Sequence, residues 1–246
     1  MTTRSQQPPT PNQQAQSPLA QCLTAMAGTP DDSSWIASQL VALAQLAADL
    51  VAPVSCASVT AYREDAWSTV AASSDVAAAV DEAQYAEQAG PCLDALDGGS
   101  PVAVPEITTA LAWPGFRAAA VPLGLRASLS IPLFAGRGTA IAVLNLYGHD
   151  PDTMVPLTAA LWDAYDPHGS TIDREHPLLD CGGAGLVAGL VGAFAVRALI
   201  QQAIGVVIAD TQRTVDAGYL ILRLRAAETG LTLPATATAV IAEQYW

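Results

Sequence analysis

The chain contains no lysine. Its ten positive side chains are all arginine, set against 23 acids, and the formal net charge is −13. A balance this acidic disfavours non-specific attachment to nucleic acid or to a membrane surface. Any contact with nucleic acid must then be local. Cysteine is scarce as well: Cys22, Cys56, Cys92 and Cys181 lie 34, 36 and 89 residues apart. No pair has metal-ligand or redox spacing, so buried free thiols are expected. The N-terminus lacks the apolar core of a signal peptide, which makes the cytoplasm the expected compartment. No Ser/His/Asp set, no acid pair with a basic partner and no phosphate loop is present. The expectation is therefore no enzyme, no cofactor and no metal.

What is present is apolar. Hydrophobic residues make up 51% of the chain and its mean hydropathy is +0.31. A length of 246 residues suits one or two domains with a sizeable core. Residues 1–17 are rich in Gln, Pro, Thr and Ser without apolar periodicity, so a disordered tail is expected there. A short helix is expected around Leu19–Met26. The cluster Thr29-Pro30-Asp31-Asp32-Ser33-Ser34 then reads as a turn and cap. A helix follows from about Trp35 to Val51, with Ile36, Leu40, Leu43, Leu46, Ala47 and Leu50 on one face, and Pro53 ends it.

Cys56–Tyr62 and Trp67–Ala72 read as strands across a polar turn. Asp75–Gln88 is helical, and Pro91–Leu96 starts a short helix stopped by Gly98-Gly99. Val102–Val104 is a short strand, and residues 105–127 read mostly as loop. Ser128–Phe134 and Ala140–Tyr147 are strands joined at Gly136-Arg137-Gly138. Val155–Ala164 is helix-like.

Residues 166–184 read as a polar insert between two units. His168 and His176 lie there near Asp166, Asp173 and Glu175; a solvated loop is preferred to a metal site. Gly185–Arg197 is apolar and reads as a connecting helix. Gly185 and Gly189, with Leu186, Leu190 and Phe194, offer a seam for close packing of a second copy, so a homodimer is expected. Cys181–Val196 has 16 uncharged residues, short of the ~20 needed to span a bilayer; no membrane span is expected. Gly183-Ala184-Gly185-Leu186-Val187-Ala188 matches a dinucleotide-binding pattern but follows no strand, so it is set aside.

The last fifty residues carry a spaced pattern: Arg197, Ile200, Ala203, Gly205, Thr214, Tyr219, Leu222, Arg223, Ala226, Leu233 and Ala237, eleven positions over 41 residues. Thr214 is a plausible N-cap, Gly230 fits a left-handed helix end, and Pro234 fits the first turn of a third helix. The pattern resembles the ANTAR family of RNA-binding antitermination modules. The chain departs from it at Ile204, where the family usually has Lys, at Asp210, where it usually has a basic residue, and at Gly230, where it usually has Asn. The module holds four Arg against four acids (Asp210, Asp216, Glu228, Glu243), and so carries no net charge.

A second resemblance covers roughly residues 34–165. Its signals are Ala89-Gly90-Pro91-Cys92-Leu93-Asp94-Ala95-Leu96, Trp113-Pro114 with Phe116, Arg126 with Ser128, Ile131-Pro132-Leu133 and Val143-Leu144-Asn145-Leu146-Tyr147. These resemble the GAF sensor domains found with ANTAR modules. The fold implied is α+β: a GAF-like antiparallel sheet with helices on one side, then an all-α three-helix ANTAR module. The implied division is an 18–165 sensor, a 166–184 linker and a 185–246 connecting helix and module.

The resemblances also imply roles. Arg197, Arg213, Arg223 and Arg225 would contact RNA hairpins in nascent transcripts, and Tyr219 would stack on a base. Ala203, Gly205, Ala226, Leu233 and Ala237 would pack the helices. A small-molecule ligand would enter a pocket between the sheet and residues 85–127, near Cys92, Trp113, Phe116 and Arg126. Cys92 near a helix N-terminus could alternatively be a reactive thiol of lowered pKa, although a buried structural role is preferred. The competing reading is a sensing or protein-interaction module whose C-terminal part has lost RNA binding.

Overall fold

The computed structural model describes residues 17–63, 66–165 and 179–243. Two helices, α1 (Pro18–Ala27) and α2 (Ser34–Leu50), precede strands β1 (Cys56–Arg63) and β2 (Ala66–Ala72). Then come α3 (Asp75–Glu87), α4 (Pro91–Gly98) and β3 (Val102–Val104). The stretch expected to be loop holds a helix, α5 (Pro114–Ala120), between two single 3-10 turns. Pro114 stands in its first turn, where a missing N–H costs nothing. Strands β4 (Ala127–Ala135) and β5 (Thr139–Gly148) are followed by α6 (Pro151–Tyr165), α7 (Cys181–Thr211), α8 (Val215–Thr229) and α9 (Leu233–Glu243).

The sheet is antiparallel, in the order β2-β1-β5-β4-β3. Its register fixes two faces. Ala57 and Val59 pair with Leu146 and Leu144, and Leu129, Ile131 and Leu133 lie opposite Leu146, Leu144 and Ala142. This face is wholly apolar. It packs with Leu19 and Leu23 of α1, Leu40 and Leu43 of α2, Leu157 of α6 and Leu186 of α7 into one core. The opposite face carries Ser58, Thr60, Ser128, Ser130, Asn145 and Tyr147, all buried. Helices α3, α4 and α5 cover it through two smaller clusters around Phe116 and Cys92. Helices therefore flank both faces, not one as expected.

The connecting helix is longer than its sequence suggested. α7 runs unbroken for 31 residues, so residues 181–184, read as the end of the linker, form its first turn. Asp180 caps it, accepting from the N–H groups of Gly182 at 3.0 Å and Gly183 at 3.2 Å. The same carboxylate accepts from Ala52 N–H at 3.2 Å, which ties α7 to the end of α2. By length and composition α7 is apolar enough to cross a membrane, so the shortness argument against a span does not hold. In the fold it is a packed helix: Leu186 and Leu190 enter the sheet core, and Ile200, Ala203, Ile204 and Val207 enter a second core with α8 and α9.

The glycine seam expected to meet a second copy meets α1. A Cβ on Gly189 would lie 2.8 Å from Ala20 Cα and 3.1 Å from Leu19 O, and added Cβ atoms on Gly185 and Gly192 would strike Ser17 and Thr24. Leu186 and Leu190 are buried, and Phe194 stacks edge-on against Phe134 and Tyr165. Close packing of small residues is present, but the partner is intramolecular.

Thr214 caps α8 through Ala217 N–H at 3.3 Å, and Gly230 ends it with φ 68°, both as the residue types imply. The expected packing positions Ala203, Leu233 and Ala237 are buried, Ala226 is partly so, and Gly205 is exposed with open space around it. Gly218 makes the close approach instead: a Cβ there would meet Ile208 at 3.1 Å and Ile204 at 3.3 Å.

Candidate functional site

The polar face of the sheet converges on one buried carboxylate. Asp81 of α3 is fully buried. The Tyr147 hydroxyl donates to its Oδ1 at 2.7 Å and the Thr69 hydroxyl to its Oδ2 at 2.9 Å. The Asn145 amide donates to Oδ1 at 3.3 Å, and also to Ser58 at 3.2 Å and Thr60 at 3.0 Å. Because Thr69 spends its proton on Asp81, the Tyr85 hydroxyl at 2.9 Å must donate to Thr69, and Thr60, at 2.8 Å from Tyr85, donates to that hydroxyl. Gln84 links outward: its amide donates to the Tyr147 oxygen at 3.4 Å, and its carbonyl accepts from Cys92 N–H at 3.0 Å.

No cation answers Asp81 within this set. Burial raises its pKa to about 6, against the lowering effect of the surrounding hydroxyls. A carboxylate poised this near neutrality is a common mark of a functional site. Two buried polar atoms, the Ser128 hydroxyl and Asn145 Oδ1, have no hydrogen-bond partner among the described residues. Burial also pushes the Tyr147 and Tyr85 phenols upward.

A cleft of about 700 Å³ opens beside this layer, lined by Tyr62, Ala66, Trp67, Tyr85, Gln88, Leu96 and Asp97. Tyr85 belongs to both the cleft and the network. The four residues expected around a ligand lie in different surroundings. Cys92 and Phe116 are fully buried in different clusters. The Trp113 indole donates to Asp94 at 3.2 Å. Arg126 is exposed and grips Glu106 with two hydrogen bonds, at 3.1 and 2.8 Å, which hold Glu106 down at about 2. Burial drives the Cys92 thiol upward, so it lacks the lowered pKa of a reactive thiol; the helix N-terminus is outweighed. Cys22 and Cys56 are buried as expected, and Cys181 is exposed. Among the described residues no His/Cys/Asp/Glu group could hold a metal; His168 and His176 lie outside them.

The residues expected to meet RNA are largely engaged with protein. Arg197 donates to Gly138 O at 2.8 Å, with its guanidinium 4.0 Å over the Phe134 ring. Arg223 donates to both Asp32 oxygens, at 3.0 and 2.9 Å. Arg225 pairs with Glu243 at 3.3 Å, while Arg213 is exposed. Tyr219 is 5% exposed. Its hydroxyl donates to Asp31 at 3.2 Å, and burial, with Asp31 adding to it, pushes its pKa up to about 12. In this arrangement the ring offers no free face for a base.

A family model described as the GAF domain matches residues 37–160. The chain belongs to the GAF domain family. The chain also aligns with a solved structure, a domain assigned to a two-component sensor histidine kinase protein from Sinorhizobium meliloti 1021, at 16% identity. That alignment covers 67% of this chain and 90% of the other, at a TM-score of 0.37. No curated protein sequence matches the chain.

GAF membership makes signal sensing the coarse role of the sheet and its flanking helices. The buried polar face of this GAF domain was missed at the sequence level except for its position. Ser58, Thr60, Ser128, Ser130 and Asn145 alternate with apolar residues, the pattern of a solvent-facing edge. The available signal was Asp81 on the Ala-rich α3, an acid on the side of the helix that carries Ala77 and Val80.

Proposed function

We propose that the chain is a cytoplasmic, non-enzymatic regulator in which the GAF domain senses a small molecule and the C-terminal helices act as an ANTAR module. The signal acts at the polar face around Asp81, Asn145 and Tyr85. The module binds RNA hairpins in nascent transcripts and prevents termination. The observation that carries the RNA reading is internal. The apolar members of the eleven-residue pattern, Ile200, Ala203, Tyr219, Leu222, Leu233 and Ala237, gather in one three-helix core. The departure at Ile204 is also accommodated there, since Ile204 is 3% exposed.

Filter binding of a two-hairpin RNA by the full chain tests this. Measurable binding that weakens with salt, with a log–log slope no steeper than about −3 for four phosphate contacts, fits the proposal. No binding by wild type or by folded Asp210→Arg refutes the RNA reading.

The pairing of Arg197, Arg223 and Arg225 with protein acceptors favours a second reading, a sensing or protein-interaction module that no longer binds RNA. The same assay separates the two. A homodimer through Gly185 and Gly189 would require α1 to leave its place; self-association that leaves α1 in place must use another surface.

A further inference from the structure

Three of the chain's ten arginines line one cleft. Arg63, at the end of β1, Arg137, in the β4–β5 turn, and Arg223, on α8, border a space of about 710 Å³ between the GAF domain and the module. Tyr219 forms part of its wall, with the Arg223 guanidinium 5.7 Å from its ring centre. In a chain with only ten arginines and a net charge of −13, three of them at one cleft is more than composition alone would place there.

Each contact in the cleft is made by an aspartate. Arg137 donates to Asp31 at 3.1 Å and to Asp216 at 3.0 Å. Arg223 donates to Asp32, and Tyr219 to Asp31. Asp31 and Asp32 are neighbours on the short turn between α1 and α2. With that turn in place, three arginines face three aspartates. With it withdrawn, only Asp216 remains and the cleft carries two net positive charges. The Asp32 half of the turn is weakly held: its side chain is 65% exposed, and ion pairs at such exposure contribute little to stability, whereas Asp31, 16% exposed, is the firmer anchor.

The geometry points to a phosphate-binding cleft in which the Asp31–Asp32 turn is an internal stand-in for RNA, and in which Arg63 and Arg137 of the GAF domain join Arg223 on the bound strand. This rests on the RNA reading above. Carboxylate and phosphate oxygens accept from a guanidinium in the same way, so a strand can replace the turn contact for contact. The β4–β5 turn is seated without slack: a Cβ on Gly136 would strike the Tyr219 hydroxyl and the Asp31 nitrogen, and one on Gly138 would crowd Arg197 and Gln201. Its strands are those that carry Ser128, Ser130, Asn145 and Tyr147 on the sensing face. A signal at that face and the occupant of the cleft thus share one hairpin.

The test uses the full chain, a two-hairpin RNA at several salt concentrations, and hydrogen–deuterium exchange. Asp31→Asn with Asp32→Asn should raise affinity about tenfold at low salt by removing two repulsive charges. Asp32→Asn alone, at an exposed side chain, should act in the same direction. Adding Arg137→Ala to the double variant should lower affinity and reduce the salt slope by about 0.7. When wild type binds RNA, amides of residues 28–33 should exchange faster and those of residues 215–229 slower. RNA binding with residues 28–33 unchanged or more protected overturns the cleft proposal and leaves the RNA reading standing. RNA binding by no variant, all folded, removes the RNA reading itself and the cleft proposal with it.

Discussion

The two faces of the sheet are both buried, yet they are built on opposite principles. On the face toward α1, α2 and α7, the strands contribute only Ala, Val, Leu and Ile. Shape alone holds that face, and each residue contributes by leaving water. On the face toward α3, α4 and α5, a layer of hydroxyls and an amide surrounds Asp81, and two polar atoms remain without partners among the described residues. Buried polar groups weaken a core unless all are satisfied. A fold that needed only stability would make the second face like the first. The polar layer is therefore where this fold gives up stability that an apolar face would supply.

Mutations can break or sharpen that contrast. The largest effect belongs to the apolar face. Leu144→Ala, at a fully buried position, should cost roughly 3 kcal/mol in denaturant unfolding. A loss below about 1 kcal/mol would mean that this face is not the mechanical core.

The next effect is a pH dependence on the polar face. The folded pKa of Asp81 is raised from 3.8 to about 6, so between these values the folded state binds more protons than the unfolded chain. Stability from this group is therefore greatest below pH 4 and falls as pH rises through 6. The loss is on the order of 2–3 kcal/mol. Asp81→Asn should abolish that component. Equal pH profiles for wild type and variant would show that Asp81 is not held near neutrality.

A smaller pair of effects lies along α7. Gly189→Ala should destabilise by about 1–3 kcal/mol through overpacking against α1. Gly205→Ala, in open space on the same helix, should stabilise by up to about 1 kcal/mol. Thermal unfolding of the two variants should move in opposite directions. The smallest effect is Ser128→Ala. Removing a hydroxyl that has no partner among the described residues should change stability by less than about 1 kcal/mol, or raise it. A large loss there would show that the polar layer is structural glue.

Much of the element order was legible because punctuating residues state it. Pro91, the Gly98-Gly99 pair, Thr214, Gly230 and Pro234 each bound a helix near where their chemistry places it. The start of α7 was not legible. Gly182, Gly183 and Gly185 argue locally against a helix, and only packing against α1 and the Asp180 cap overrides them. The polar face was half legible: the strands could be read, but burial of both their faces depends on helices drawn from distant parts of the chain. The partners of Arg223 and Tyr219 were out of reach. Asp32 and Asp31 stand 191 and 188 positions away in sequence, and no local pattern joins them.

The unbroken course of α7 has a mechanical meaning. A helix of 31 residues is about 45 Å long. Its first half is gripped by α1 and the sheet, and its second half carries α8 and α9. It is therefore a lever whose fulcrum lies in the GAF core. A tilt of about 5° at the midpoint moves the far end by roughly 2 Å over the remaining ~20 Å. The swing falls on the Thr211 end, while the module's ties to the Asp31–Asp32 turn lie beside the midpoint, where Gly28 faces Val196 and Gly138 faces Arg197. A tilt of α7 thus moves the far turn of the module and leaves those ties nearly in place.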